Sequence, residues 1–232
     1  IIYSLTIKGG DCLGLFGQLS SSAVISDLGL EGVAINGGGS NVGGLVGNNG
    51  GIISNSYSTG VVSGNSSAGV LVGYNAGGII GSYSTGMVRG DSSVGGFVGY
   101  NSGGISNSYS TASVSGGEEA GGLVGHNDGS IVNCYSAGAV HGNQDVGGLV
   151  GCDSGHVVSC AYDIQTSGQD ADNSGMGLTT AQMQDVATYL NGGWDLVGES
   201  SNGTRDWWQI SPGGYPSLRY FAGDAPTMPE GA

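Results

Sequence analysis

The pentapeptide Gly-Gly-Leu-Val-Gly at residues 43–47 returns as GVLVG at 69–73, GGFVG at 95–99, and GGLVG at 121–125 and 147–151, with a constant step of 26 residues. A gap-free unit of this length cannot bury its own apolar face and must stack on copies of itself, so the chain is expected to be a solenoid whose function is read in columns. Counting from the last glycine of each pentapeptide, position 6 is Ile53, Ile79, Ile105, Ile131 and Val157, and position 15 is Val62, Val88, Val114, Val140 and then Thr166. These columns read as core. Asn49, Asn75, Asn101, Asn127 and Asp153, with the glycines at 64, 90, 116, 142 and 168, read as corners. Three short β-prone runs per copy, separated by Gly/Asn/Ser turns, predict an all-β, three-sided parallel β-solenoid (β-helix) with no competing helical period. A related Gly-Leu-Phe-Gly at 14–17 and an apolar strand over 1–8 extend the stack to roughly seven coils.

The Gly-Leu-x-Gly signature and the segment that follows it (Asn-Cys-Tyr-Ser-Ala-Gly at 133–138, for example) resemble the GLUG repeats of bacterial surface proteins, a filamentous-haemagglutinin-like β-helix family. The resemblance covers most of the chain, and the stretch beginning GLTTAQMQD at 177 is similar to segments that close such blocks in large secreted bacterial proteins. It implies a β-helix outside the cell, on the cell surface or secreted, and no particular ligand. Some family members are proteases whose catalytic domain lies elsewhere; the zinc-protease pattern H-E-x-x-H is absent here.

Charged residues make up 9% of the chain, the formal net charge is −14 and the pI is near 4.1. Its four basic residues (Lys8, Arg89, Arg205, Arg219) are too few to track phosphates, so nucleic acid and anionic membranes are not expected partners. No apolar run reaches the roughly 20 residues needed to span a bilayer. A start at Ile1 with an uncapped apolar strand suggests a processed product or a piece of something longer.

Composition then shifts. All four prolines and all three tryptophans fall after residue 173, dividing the chain into a β-solenoid domain at 1–175 and a capping segment at 176–232. Thr179 and Gln182 have the spacing of a capping box, and Met183, Val186, Ala187 and Leu190 follow at helical spacing; short strands are expected at 194–197 and 207–210. This segment reads as an end-cap over the last coil, or else as an aromatic ligand site built from Trp207, Trp208 and Tyr215.

Tyr57, Tyr83, Tyr109 and Tyr135 form one column. Strand alternation turns them outward if their small neighbours face in, and an outward ladder flanked by Thr59, Thr85 and Thr111 would be an adhesive face for sugars, proteins or a second solenoid. The other reading puts the tyrosines in the core. Because Leu45 and Val46 and their copies are adjacent and all apolar, one of these two columns is expected to face outward.

Cys134 and Cys160 share a site in consecutive coils, within disulfide reach at about 5 Å; they form a coil-to-coil bridge or two stacked free thiols. Cys12 and Cys152 belong to opposite ends. Asp91, Glu118, Glu119, Asp145, Asp170 and Asp172 line one corner, which reads as a solvated acidic edge or as a calcium site centred on 163–173. His126, His141 and His156 match no motif, and the basic residues lie too far apart for the catalytic groove of a polysaccharide-cleaving β-helix. The sequence therefore predicts a non-enzymatic structural or adhesive module. Ile1, Ile2, Tyr3, Leu5 and Ile7 would continue a sheet begun by a preceding segment or another copy, giving a fibre or a multi-block chain. The second reading is a monomeric carbohydrate- or protein-binding adhesin, and the third a catalytic β-helix.

Overall fold

The computed structural model describes residues 1–170, 174–198 and 206–222. Its pentapeptide glycines stack in register, Gly69 lying between Gly43 and Gly95, and Gly121 between Gly95 and Gly147. The chain is a parallel β-solenoid of about six turns. Residues 1–9 supply strands to one face only, so they do not make the seventh coil counted from sequence.

Each coil has four faces rather than three. The second coil shows the pattern: Ser40–Gly43, Val46–Asn49, Ile52–Ser54 and Tyr57–Ser63 form the first to fourth faces. The extra corner falls at Asn55, whose φ of 46° turns the chain between Ile53 and Tyr57 and divides what the sequence presents as one β-prone run. On the fourth face the strands Tyr57–Ser63 and Tyr83–Arg89 bend at Gly60 and Gly86, with φ of 133° and 113°. A Cβ at Gly86 would lie 2.1 Å from the Gly60 carbonyl oxygen, so only glycine lets the coils approach there.

The core is a stack of columns. Ile53, Ile79, Ile105 and Ile131 are buried from the third face and Val62, Val88, Val114 and Val140 from the fourth. The Leu/Phe column (Leu45, Leu71, Phe97, Leu123, Leu149) and the neighbouring Val column are both fully or almost fully buried, so neither faces solvent as alternation had required. The reason is the corner between the first and second faces. Leu45 N and Val46 N both donate to the Leu71 carbonyl, at 2.9 and 3.2 Å, so the strand is interrupted and two successive side chains turn inward.

A polar ladder runs beside this core. Asn49 Nδ2 donates to Asn75 Oδ1 at 2.7 Å, and the pattern continues from Asn75 to Asn101, Asn101 to Asn127 and Asn127 to Asp153 at 2.8 Å each. Fully buried amides without such partners would each cost a few kcal/mol, so the ladder fixes the register of the second face. On its other side, Asn49 is paired in register with Leu19.

The C-terminal segment extends the fourth face at one end and then runs back along the side. Met176–Leu178 adds a parallel strand to Ala161–Asp163, and Gly175 lies against Leu149 of the last coil. Thr179 and Gln182 form the expected capping box, but the helix is broken into Thr180–Met183 and Val186–Asn191 because the Asp185 carboxylate accepts from Ala187 N and starts a second helix. Val186 and Leu190, expected on the packed face, are exposed, and Tyr189 is buried instead. Beyond it, Trp208–Ile210 and Pro216–Leu218 form the antiparallel hairpin. Among the described residues, no helix is long and apolar enough to cross a membrane.

Candidate functional site

Two columns of stacked rings stand on the outside of the solenoid. On the fourth face Ser56 and Ser58, with their copies, are buried toward the axis, and the tyrosines between them point outward. Tyr57, Tyr83, Tyr109 and Tyr135 stack with centroids 4.7, 5.1 and 5.0 Å apart and planes within 8°. They are not an open adhesive face. Residues 206–222 lie over them as a strap: Phe221 meets Tyr57 and Tyr83 edge-on, and Trp208 packs against Tyr109 and Tyr135. Tyr135 is 1% exposed and donates its hydroxyl to the Pro216 carbonyl at 2.6 Å. Burial pushes the hydroxyl of Tyr83 up to about 12 and raises Tyr109 and Tyr135 further still. Thr59, Thr85 and Thr111 remain half-buried beside the ladder.

The aromatic residues considered for a ligand site are the means of attachment. Trp208 is fully buried, Trp207 packs at Gly81, and Trp194 donates Nε1–H to the Ser159 carbonyl at 2.9 Å. Tyr215 donates to Asp163 at 2.6 Å. The buried Asp163 carboxylate also accepts from Gln165 N, Thr166 N and Thr180 Oγ1, so four donors saturate it and tie the last coil to the strap. The loop that starts there is therefore a joint. Asp172, one of the residues of the alternative calcium reading, lies outside the described residues.

The other acidic positions are separated by register. Glu118 pairs with Ser92 on one side and Gln144 on the other, and with Asp91, Gly117 and Asn143 they line a shallow groove of about 450 Å³. Asp170 lies near Gln169, whose side chain is held by the Val140 carbonyl. Neutral residues thus alternate with the carboxylates along most of the edge.

Glu119 and Asp145 differ, because they share one column with Asn41, Ser67 and Ser93. All five have φ between 49° and 59°, and this left-handed turn aims their side chains past the corner toward the second face. There the outward column is Gln18, Asn48, Tyr74, Tyr100, His126 and Cys152. Tyr100 stacks on Tyr74 at 5.3 Å and on His126 at 4.6 Å. His126 Nδ1 lies 3.1 Å from Glu119 Oε1, and Nε2 lies 3.2 Å from Asp128 Oδ1. Tyr100 donates its hydroxyl to the same Asp128 carboxylate, which pushes that hydroxyl up to about 12 and holds Asp128 below the usual carboxylate range. Partial burial, followed by the charges of Glu119, Asp145, Asp128 and Asp153, raises the Cys152 thiol. Reading His126 and Cys152 as isolated residues missed this arrangement. They sit in one column, 26 residues apart, and only the corner brings Glu119 to them.

Cys134 and Cys160 are adjacent and buried, but they are free thiols rather than a bridge. Each donates to a carbonyl two residues earlier in its own coil, Cys134 to Val132 at 3.2 Å and Cys160 to Val158 at 3.1 Å, as the serines of the same column do.

Three segments of the chain, residues 38–63, 90–115 and 116–140, match the GLUG motif. No curated protein and no solved structure matches.

Proposed function

We propose that this chain, a structural β-helix built from GLUG repeats, is a non-catalytic block of a bacterial protein outside the cell, extended by stacking at its N-terminal end. The observation that carries the reading is the apolar edge at its N-terminal end. At the C-terminal end Met176–Leu178 continues the fourth face and Gly175 lies against Leu149, while Gln144–Gly147, Val150–Asp153 and His156–Val158 end the other faces with Asp145 and Asp153 exposed on the edge. At the other end, Ile2–Tyr3, Phe16–Leu19 and Val24–Ser26 each pair with only one strand among the described residues. Ile1 (66%), Tyr3 (64%) and Val24 (68%) are exposed there, whereas Leu5 and Ile7 pack on the core. Unpaired backbone groups beside exposed apolar side chains accept another coil, whether it precedes in the polypeptide or comes from a second copy.

The carboxylates Asp145 and Asp153 on the C-terminal edge favour a multi-block chain over a head-to-tail fibre, and the strap over Tyr57–Tyr135 counts against an adhesin working through that ladder. In isolation, the favoured partner for the apolar N-terminal edge is the same edge of a second copy. Sedimentation velocity should then give a monomer–dimer equilibrium that Tyr3→Lys with Val24→Lys returns to monomer. Monomer alone at high micromolar concentration, or an open series of larger species, would refute the reading.

A further inference from the structure

We propose that Glu119, His126 and Cys152 form a zinc site. One ligand atom from each of the three lies within 4.8 Å of the others, and all three residues are half-buried where the first and second faces meet. A tetrahedral zinc with bonds of about 2.0–2.3 Å holds its ligand atoms roughly 3.3–3.7 Å apart, so small side-chain adjustments suffice. Glu119 and His126 already lie at 3.1 Å.

The outer contacts favour the same assignment. A metal-binding imidazole normally donates its second ring N–H to a carboxylate, which fixes its tautomer and orientation. Here Asp128 takes Nε2, and Tyr100 anchors Asp128, leaving Nδ1 toward Glu119. The second oxygen of Glu119 accepts from Ser93, so that ligand is also oriented. Asp145 occupies the place of Glu119 in the next coil and adds negative charge to the surroundings of Cys152.

Donor chemistry selects the ion. Thiolate, imidazole and carboxylate together suit zinc, whereas calcium takes oxygen ligands only. The acidic edge, which in sequence reads as plainly solvated or as a calcium site, thus carries a zinc site at this corner. Its position supplies charge compensation as well: Glu119, Asp128, Asp145 and Asp153 gather here, and none of the ion pairs found among the described residues brings a Lys or Arg to them.

The repeat provides variants that should leave the fold intact, because other coils already carry the replacing residue in the same column. These are Glu119→Ser, as at Ser67 and Ser93; His126→Tyr, as at Tyr74 and Tyr100; and Cys152→Asn, as at Asn48. Isothermal titration of the reduced full chain with zinc chloride should give one site per chain, weakened on the order of tenfold or more by each variant. Cobalt should give a thiolate-to-metal absorption band that disappears in Cys152→Asn and persists in Cys12→Ser. Zinc binding that is absent, unchanged in the three variants, or displaced by equimolar calcium would overturn the assignment, as would loss of the cobalt band in Cys12→Ser.

Discussion

The two outward columns obey one stacking rule and end up in different chemistry. On the fourth face the Tyr57–Tyr135 ladder is sealed by Trp208 and Phe221, and its hydroxyls are raised chiefly by burial. On the second face the Tyr74–Tyr100–His126–Cys152 column carries no strap among the described residues, and Tyr100 is raised chiefly by a hydrogen bond to Asp128. The coil period sets ring spacing near 5 Å in both. What lies across each column sets its use: aperiodic tail residues make one an internal seam, and carboxylates at the neighbouring corner make the other a polar cluster.

The largest effect should come from a change that removes the scaffold under both columns. Ile105→Asp puts a carboxylate without a partner into the stacked isoleucine column, at a cost of several kcal/mol against the roughly 5–15 kcal/mol that holds a typical domain. Circular dichroism should report loss of the cooperative transition. Trp208→Ala should act on the sealed column alone. We expect a loss of about 3–5 kcal/mol and exposure of the tyrosines to a neutral quencher, with the His126 NMR resonances unmoved. Shifted His126 resonances would mean that the two columns are not independent.

Alkaline titration separates the columns by cause. The hydroxyls of Tyr83 and Tyr215 are raised to about 12 from an unfolded value near 10, so their contribution to stability is complete below pH 10 and is lost as the pH rises toward 12. The sign follows from the unfolded chain releasing these protons first. Absorbance at 295 nm should show the sealed tyrosines ionising together with unfolding. The smallest effect belongs to Asp128→Asn, which should bring Tyr100 back toward its ordinary range, leave Tyr83 unmoved and leave the melting temperature essentially unchanged.

Period and parity made much of the coil legible in sequence: the isoleucine and valine columns, the buried serines beside outward tyrosines, and the Asn column at a corner all follow from the 26-residue step. What escaped depends on events at corners or outside the repeat. Leu45 and Val46 both face inward because the strand is interrupted between them, which alternation cannot foresee. The strap has no period, so Trp208 over Tyr135 could not be read from spacing. Glu119 and His126 lie in different columns, and their meeting needs the left-handed turn at Glu119. Cys134 and Cys160 were correctly placed as neighbours, yet proximity alone did not decide their bonding.

The Asn ladder of the second face also governs how the molecule could lengthen. Every amide from Asn49 to Asn127 hands a hydrogen to the next coil, and the sequence of handovers stops at Asp153, whose side chain has no amide N–H to give. At its opposite limit Asn49 meets the hydrocarbon of Leu19. A whole 26-residue unit duplicated between these limits would find the same donor below and the same acceptor above, whereas a unit added beyond either would not. Growth by internal duplication is thus written into the side chains, with Leu19 and Asp153 as its punctuation.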